Sequence, residues 1–303
     1  MLLHTKNRRT GENKMAANIL SEIERRMPKF SKGQKSIARY ILSHYDKAVY
    51  MTASKLGSAA QVSESTVVRF AFELGFEGYP ELQEALKETI KSKLTAVQRI
   101  DVAHEQLGGS DLLTRVMNMD IEKIRRTMEV ISREDFEGAV EAILNAKTIY
   151  IIGARSALVL VRFMVLYFNI LFENVKLVDA TSSAEMFEQI MRIGEGDVMI
   201  GVSFPRYSTR SAAALSYASK NGAQVIAITD SPAAPCAKHA DFLLESRSEM
   251  TSFVDSLVAP LSVINALTVA IGLRKKEEVK ETFAHLETIW DEYDVYQKAE
   301  ENQ

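Results

Sequence analysis

Cysteine is nearly absent: Cys236 is the single one in 303 residues. That excludes an internal disulfide framework and a cysteine-rich zinc site, and it agrees with a reducing compartment. The five histidines are scattered, with no His-x-x-x-His spacing, so no metal and no cofactor is expected. Long apolar runs are missing too. The longest candidate, Ala157 to Phe172, is broken by Arg162 and Asn169, short of the roughly 18 residues a membrane span needs, so no membrane partner is expected. Residues 1–14 are polar and basic with no apolar centre, which excludes a signal peptide and reads as a disordered tail. These absences together read as a cytosolic protein.

What is present is a globular composition, 47% hydrophobic and 25% charged, at a length that fits about two domains. The net charge of -3 conceals an asymmetry. Residues 1–110 carry 17 lysines and arginines against 12 acids, whereas the remainder carries 20 against 28. A basic first third on an acidic body points the first part at a polyanion.

Three short helices are predicted in that basic part. Ser31 caps one across Phe30 to Tyr45, Thr52 caps one reaching Ala60, and Ser63 caps one reaching Leu74, with Gly75 as its stop. The tight turn at Gln61 and Val62 makes the last two a helix-turn-helix pattern. In the third, Val67, Phe70, Ala71 and Leu74 fall on one face, which leaves Ser65, Thr66, Arg69 and Phe72 outside. Small hydroxyl residues near a helix start and one arginine are what major-groove reading needs. Thr52, Ser63, Ser65, Thr66 and Arg69 are therefore the candidate DNA contacts. The same geometry occurs in proteins that never touch DNA, and that reading stays open. A helix from Tyr79 to about Ile100 follows, then Asp111 to Ile131, which reads either as a connector seam against a second subunit or as an extra core helix.

Beyond Phe136 the period changes. Strands are predicted at Thr148–Ile152, Val175–Val178, Val198–Val202, Val225–Thr229 and Phe242–Leu244, alternating with helical segments, the last of them Ser252 to Leu273. Such alternation makes a doubly wound parallel sheet whose ligands sit at the carboxyl ends of strands where the winding reverses. The loops after the first and third strands then face one pocket. The first reads Gly153-Ala154-Arg155-Ser156, and the second carries Ser203, Arg206, Tyr207, Ser208 and Thr209 into a helix start. Free amides, the helix dipole, hydroxyls and guanidinium groups together make an anion cradle. The alternative is that Ser208 and Thr209 only cap the helix while Arg206 and Arg210 are solvated.

Both halves resemble one family. Val62-Ser63-Glu64-Ser65-Thr66-Val67-Val68-Arg69-Phe70, with Leu74 to Tyr79, is similar to the helix-turn-helix of the RpiR/MurR transcriptional regulators. Lys147 to Leu244 resembles the sugar isomerase (SIS) domain that this family carries. The resemblance implies an all-helical DNA-binding domain at 15–95, a helical linker at 96–133, an SIS-like αβα sandwich at 134–273 and a helical tail at 274–303. It also implies a homodimer or homotetramer that binds an operator and a phosphosugar or related sugar acid. Two departures stand out. Arg155 occupies a glycine position of the first loop and Arg206 a glycine position of the second, an exchange that suits a carboxylate or a doubly charged ligand because arginine can hold either in a bidentate manner. In the head, Gly57 and Gln61 stand where alanine and glycine are frequent, which should weaken the second helix slightly. Isomerisation by the SIS part is the competing reading; it needs a general base, for which Glu185 and His239 are the candidates by position. A DNA-binding head argues for sensing, so no catalytic residue is expected.

Overall fold

The computed structural model describes residues 19–91, 97, 98, 100, 111–249 and 254–296. The expected tail at 1–14 lies outside them. The described residues form two compact units: the first runs to Met119 and includes Glu249 and residues 254–256, and the second holds Asp120–Ser248 and the residues from Leu257 onward.

In the first unit, helices α1 (Ile19–Arg26), α2 (Lys32–Ser43), α3 (Tyr45–Ala48), α4 (Ala53–Ala59), α5 (Glu64–Glu73) and α6 (Tyr79–Lys91) enclose one apolar core. Ser31 starts α2 with a full capping box: its side chain accepts from Gln34 N while the Gln34 side chain accepts from Ser31 N. Thr52 caps α4 by accepting from Lys55 N. Ile37 and Ile41, Leu56, then Val67, Phe70 and Leu74 are fully buried, as the 3.6-residue period requires. Phe70 meets Phe30 edge to face with ring centroids 5.1 Å apart, joining α5 to the start of α2.

The α4–α5 turn explains Gly57. A Cβ there would lie 2.9 Å from the Val62 carbonyl oxygen, and Val62 N already donates to Gly57 O at 2.8 Å. The missing side chain thus lets the two helices close. Gln61 supplies the turn at φ 57, left-handed backbone in which glycine would be unstrained.

The second unit contains a five-stranded sheet: β1 (Ile149–Gly153), β2 (Val175–Val178), β3 (Val198–Val202), β4 (Gln224–Thr229) and β5 (Phe242–Glu245). Every pairing is parallel and the order is β2-β1-β3-β4-β5, with Ile152 against Gly201 and Gly201 against Ala227 in register. The strands are near-continuous apolar runs because both faces are covered. On one face Ile149, Ile151, Val198, Ile200, Val202, Ile226 and Ile228 share a core with α8 (Arg133–Leu144), α9 (Ala157–Leu171) and α12 (Val258–Arg274). On the other, Tyr150, Ile152, Met199, Val225 and Ala227 pack with α10 (Ser183–Ile190) and α11 (Thr209–Lys220). This is the doubly wound αβα sandwich that the alternation predicted.

Element ends differ from the sequence reading at several points. Helix α12 starts at Val258 rather than Ser252, which lies outside the described residues, and α10 is confined to Ser183–Ile190. Helix α7 (Leu112–Val130) is no core helix. Its apolar side chains Leu113, Met117, Ile121 and Met128 are exposed, whereas its buried positions are Lys123 and Thr127. The terminal helix α13 (Lys276–Glu292) has no fully buried residue; Trp290 packs edge-on against Phe283 and Tyr296 around it.

Candidate functional site: strand tips and recognition helix

The winding reverses between β1 and β3, so the loops that leave those strands open a crevice at their carboxyl ends. A chamber of about 120 Å3 lies on the β2 side of this crevice. Gly153, Ala154 and Arg155 line it from the β1 loop, Asp179 from the end of β2, and Ser208, Arg210 and Ser211 from the start of α11. At Gly153 a Cβ would sit 2.6 Å from Val161 Cγ2 and 3.1 Å from Ala157 O, so glycine is what lets α9 begin so close to the strand. Ala154 is half-buried; Ser156 is exposed at the N-cap position of α9 and makes no side-chain cap bond.

The β3 loop divides its residues between two tasks. Ser203 is buried, and its Oγ accepts from Ser208 N at 3.3 Å, which folds the loop back on itself. Ser208 caps α11 by accepting from Ser211 N at 3.2 Å. Tyr207 turns away from the chamber and donates to Asp230 Oδ1 at 2.9 Å. Arg206 and Thr209 are exposed. Of the predicted loop residues, Ser203, Ser156, Arg206, Tyr207 and Thr209 are thus absent from the chamber wall.

Two arginines have left-handed backbone, Arg155 at φ 57 and Arg206 at φ 65. They stand at the two loop positions where the resemblance to the family expects glycine. Non-glycine residues there cost of order 1 kcal/mol each, and such strain concentrates at functional sites. Both guanidinium groups are exposed, one on each side of the switch point.

Sequence reasoning missed three polar residues of the chamber wall, Asp179 at the end of β2 and two at the start of α11. Arg210, read as solvated under the capping alternative, is half-buried, and its Nη1 donates to Ala180 O at 2.7 Å, fixing it against the β2 loop. Ser211 is 1% exposed and its hydroxyl has no hydrogen-bond partner. The capping pattern held the signal for both: with Ser208 as N-cap, positions 210 and 211 fall in the first helical turn beside the crevice.

From the same loop a polar chain leads across the domain. Arg247 Nη1 donates to the Asp230 carbonyl oxygen at 3.4 Å, and Arg247 N donates to Thr127 Oγ1 on α7 at 2.9 Å. Asp230 and Thr127 are both buried.

The residues considered for catalysis have other roles. Glu185 accepts from both Thr181 N and Thr181 Oγ1, bonds that hold its carboxyl below the usual carboxylate range, so it is a helix-start cap and a poor general base. His239 ends a single 3-10 turn, Ala237–His239. Cys236 is buried, and desolvation pushes its thiol up, away from the reactive thiolate. Among the described residues no group of three or more His, Cys, Asp or Glu is placed to hold a metal, and no single helix is long and apolar enough to cross a membrane.

In the head, α5 presents its first turn and outer face to solvent. Ser63, Ser65 and Arg69 are exposed, and Thr66 is half-buried. Ser63 Oγ lies 2.9 Å from both Ser65 Oγ and Thr66 Oγ1, so the three hydroxyls form one cluster instead of the backbone cap expected of Ser63. Arg69 Nε donates to Ser65 O at 3.3 Å, which lays the guanidinium back along the helix toward that cluster. Thr52, exposed at the start of α4, is committed to its own helix cap. Phe72 is 55% exposed beside this face.

Comparison with known proteins agrees with both halves. Residues 17–93 match the helix-turn-helix domain of the rpiR family, and residues 142–270 match the SIS domain. An HTH-type transcriptional regulator of Caldanaerobacter subterraneus subsp. tengcongensis is 23% identical over 86% of this chain and 93% of its own length. The HTH-type transcriptional regulator HexR of Pseudomonas aeruginosa is 25% identical over 85% of this chain and 90% of its own length. Among solved structures, the sugar isomerase domain of an RpiR transcription factor from Sphaerobacter thermophilus superposes with a TM-score of 0.57 at 27% identity, covering 59% of this chain and 99% of that one. The Vibrio vulnificus NanR protein, solved with ManNAc-6P, has the same fold over 93% of this chain and 100% of its own, with a TM-score of 0.57 at 20% identity. With head and body matched in that order, the chain belongs to the RpiR family of helix-turn-helix transcriptional regulators that carry an SIS domain.

Proposed function

We propose that this regulator binds a small anionic sugar derivative, a phosphosugar or sugar acid, at the tips of β1 and β3, and that occupancy there changes its grip on a DNA operator. The observation that carries the reading is the pair of exposed arginines held in left-handed backbone on the two loops flanking the switch point. Ser203, Ser208 and the α11 amides supply the remaining donors, with Gly153, Ala154 and Ser156 forming the opposite lip; Tyr207 and Thr209 belong to the same loop. NanR, which shares the fold, was solved with a phosphosugar, and this supports the ligand class. Ser65, Thr66 and Arg69 read the major groove, and Thr52 and Ser63 place the two helices on the phosphate backbone. The chemistry is sensing, with no reaction step and no cofactor.

A ligand shifts an equilibrium only by its differential affinity for the two states. Tyr207 sits where that difference can be transmitted, because its hydroxyl starts the chain through Asp230 and Arg247 to Thr127 on α7. The outward apolar stripe on α7 favours assembly into a homodimer or a homotetramer, which would present two heads to a pseudo-palindromic operator.

Two substitutions test the halves separately. Arg69→Ala should abolish retention of DNA from upstream of the gene in a gel shift while leaving ligand-induced thermal stabilisation intact; normal retention overturns the recognition-helix assignment. Ser203→Ala combined with Arg206→Ala should erase the thermal shift given by the phosphosugar that stabilises wild type best, and an unchanged shift places the pocket elsewhere.

A further inference from the structure

The head hides its apolar side chains with one exception. Among the described residues of α1–α6, Phe72 is the one large apolar side chain left exposed, at 55%. A single exposed apolar residue is ordinary on a protein surface; what sets Phe72 apart is where it stands. It lies in the last turn of α5, and the end of that helix is tied down. Arg26 Nη1 donates to Glu73 O at 2.8 Å, and Phe70, Ala71 and Leu74 around it are fully buried. The ring is therefore held outward by a fixed backbone.

Ser65, Arg69 and Phe72 follow one another at i, i+4 and i+7, so they run in one line down the outer face of α5, and all three are exposed. Seven residues put Phe72 about 10.5 Å along the helix axis from Ser65, or about three base steps of roughly 3.4 Å. A helix whose first turn enters the major groove with Ser65 and Thr66 thus carries a phenyl ring to base edges about three pairs away. Chemistry limits what the ring can meet there. It neither donates nor accepts a hydrogen bond and bears no charge, so it is no phosphate contact. The apolar group that the major-groove edges offer is the C5 methyl of thymine.

Resting on the recognition-helix reading above, we propose that Phe72 is a specificity-determining residue of the head, packing its ring on the methyl group of a thymine in each half-site of the operator. Ser65, Thr66 and Arg69 read one end of the half-site by hydrogen bonds, and Phe72 reads the other by apolar contact. Thymine is preferred at that place over cytosine, whose edge presents an amino group and no methyl.

Deoxyuridine tests this, because it differs from thymidine only by the missing methyl. The full chain first selects its operator from a random duplex pool. Each thymine of the selected half-site is replaced by deoxyuridine in turn, in both half-sites together, and Kd is read by fluorescence anisotropy. At one thymine, wild type should weaken by about fourfold per half-site, the worth of one buried methyl group. Phe72→Ala should bind the unmodified operator more weakly and show no further loss on deoxyuridine at that place. Phe72→Leu, still apolar, should keep most of the thymine preference, which guards against a head disturbed by the alanine. Identical deoxyuridine profiles for wild type and Phe72→Ala overturn the proposal and leave the recognition helix standing. If Phe72→Ala keeps wild-type affinity for the operator and instead changes the sedimentation coefficient, the ring is a protein contact and the proposal is likewise overturned. If Arg69→Ala retains DNA normally, the recognition-helix reading falls and the Phe72 assignment falls with it.

Discussion

Tyr79 shows how much one buried polar atom can hold in the head. Its ring is 4% exposed, its hydroxyl donates to Met51 O at 2.8 Å, and burial pushes its pKa up to about 12. The neutral phenol is thus favoured by folding. The stability it contributes is intact below the unfolded-state value near 10 and is lost as pH rises through about 12. A spectrophotometric titration should show one tyrosine ionising last, together with unfolding of the head. Tyr79→Phe should remove that laggard and cost about 1 kcal/mol at neutral pH, read by urea denaturation. At this scale the sequence was least legible. Ser203 and Ser208 read correctly as loop hydroxyls, but which of them caps and which folds the loop depends on bonds between them. That the Tyr207 hydroxyl meets Asp230, 23 residues away, is announced by nothing near it in sequence. Arg210 and Ser211 were passed over because an arginine and a serine in a helix start read equally well as solvated.

Elements were far more legible, because they rest on periodicity and capping, which are local. Ser31, Thr52 and Ser208 all begin helices as their residue types foretold, and the apolar runs from Val175, Val198 and Val225 are strands. What stayed open or unread at this scale shares a cause. Helix α7 has a clear apolar stripe, and a stripe reveals amphipathicity without saying which side the fold buries; here Lys123 and Thr127 face inward. At Gly57 the contact made across the turn by Val62 was likewise illegible in sequence. The β1–α9 junction offers a test at this scale. Gly153→Ala places a methyl against Val161 Cγ2 and the Ala157 carbonyl, so α9 must move off the strand. Overpacking of this kind should lower stability by roughly 1–3 kcal/mol and weaken ligand binding, both visible in melting curves taken with and without the best-binding phosphosugar.

Across the whole molecule, the parallel sheet and its two-sided winding followed from alternating strands and helices. The link from pocket to linker helix did not, because Thr127, Asp230 and Arg247 are brought together only by the fold. Thr127→Val keeps the shape and removes the acceptor of Arg247 N. It should leave both the gel shift and the ligand's thermal shift near wild type while abolishing the ligand's effect on the gel shift. Coupling that survives in Thr127→Val would exclude this route.

The left-handed loops also set two properties of the molecule against each other. Replacing Arg206 by glycine relieves the backbone at φ 65 and takes a positive charge out of the crevice, so the empty regulator should melt higher while responding less to its effector. Selecting this chain for heat tolerance alone would therefore tend to produce a deaf repressor or activator, and a population of thermostable variants should be enriched in glycine at 155 and 206.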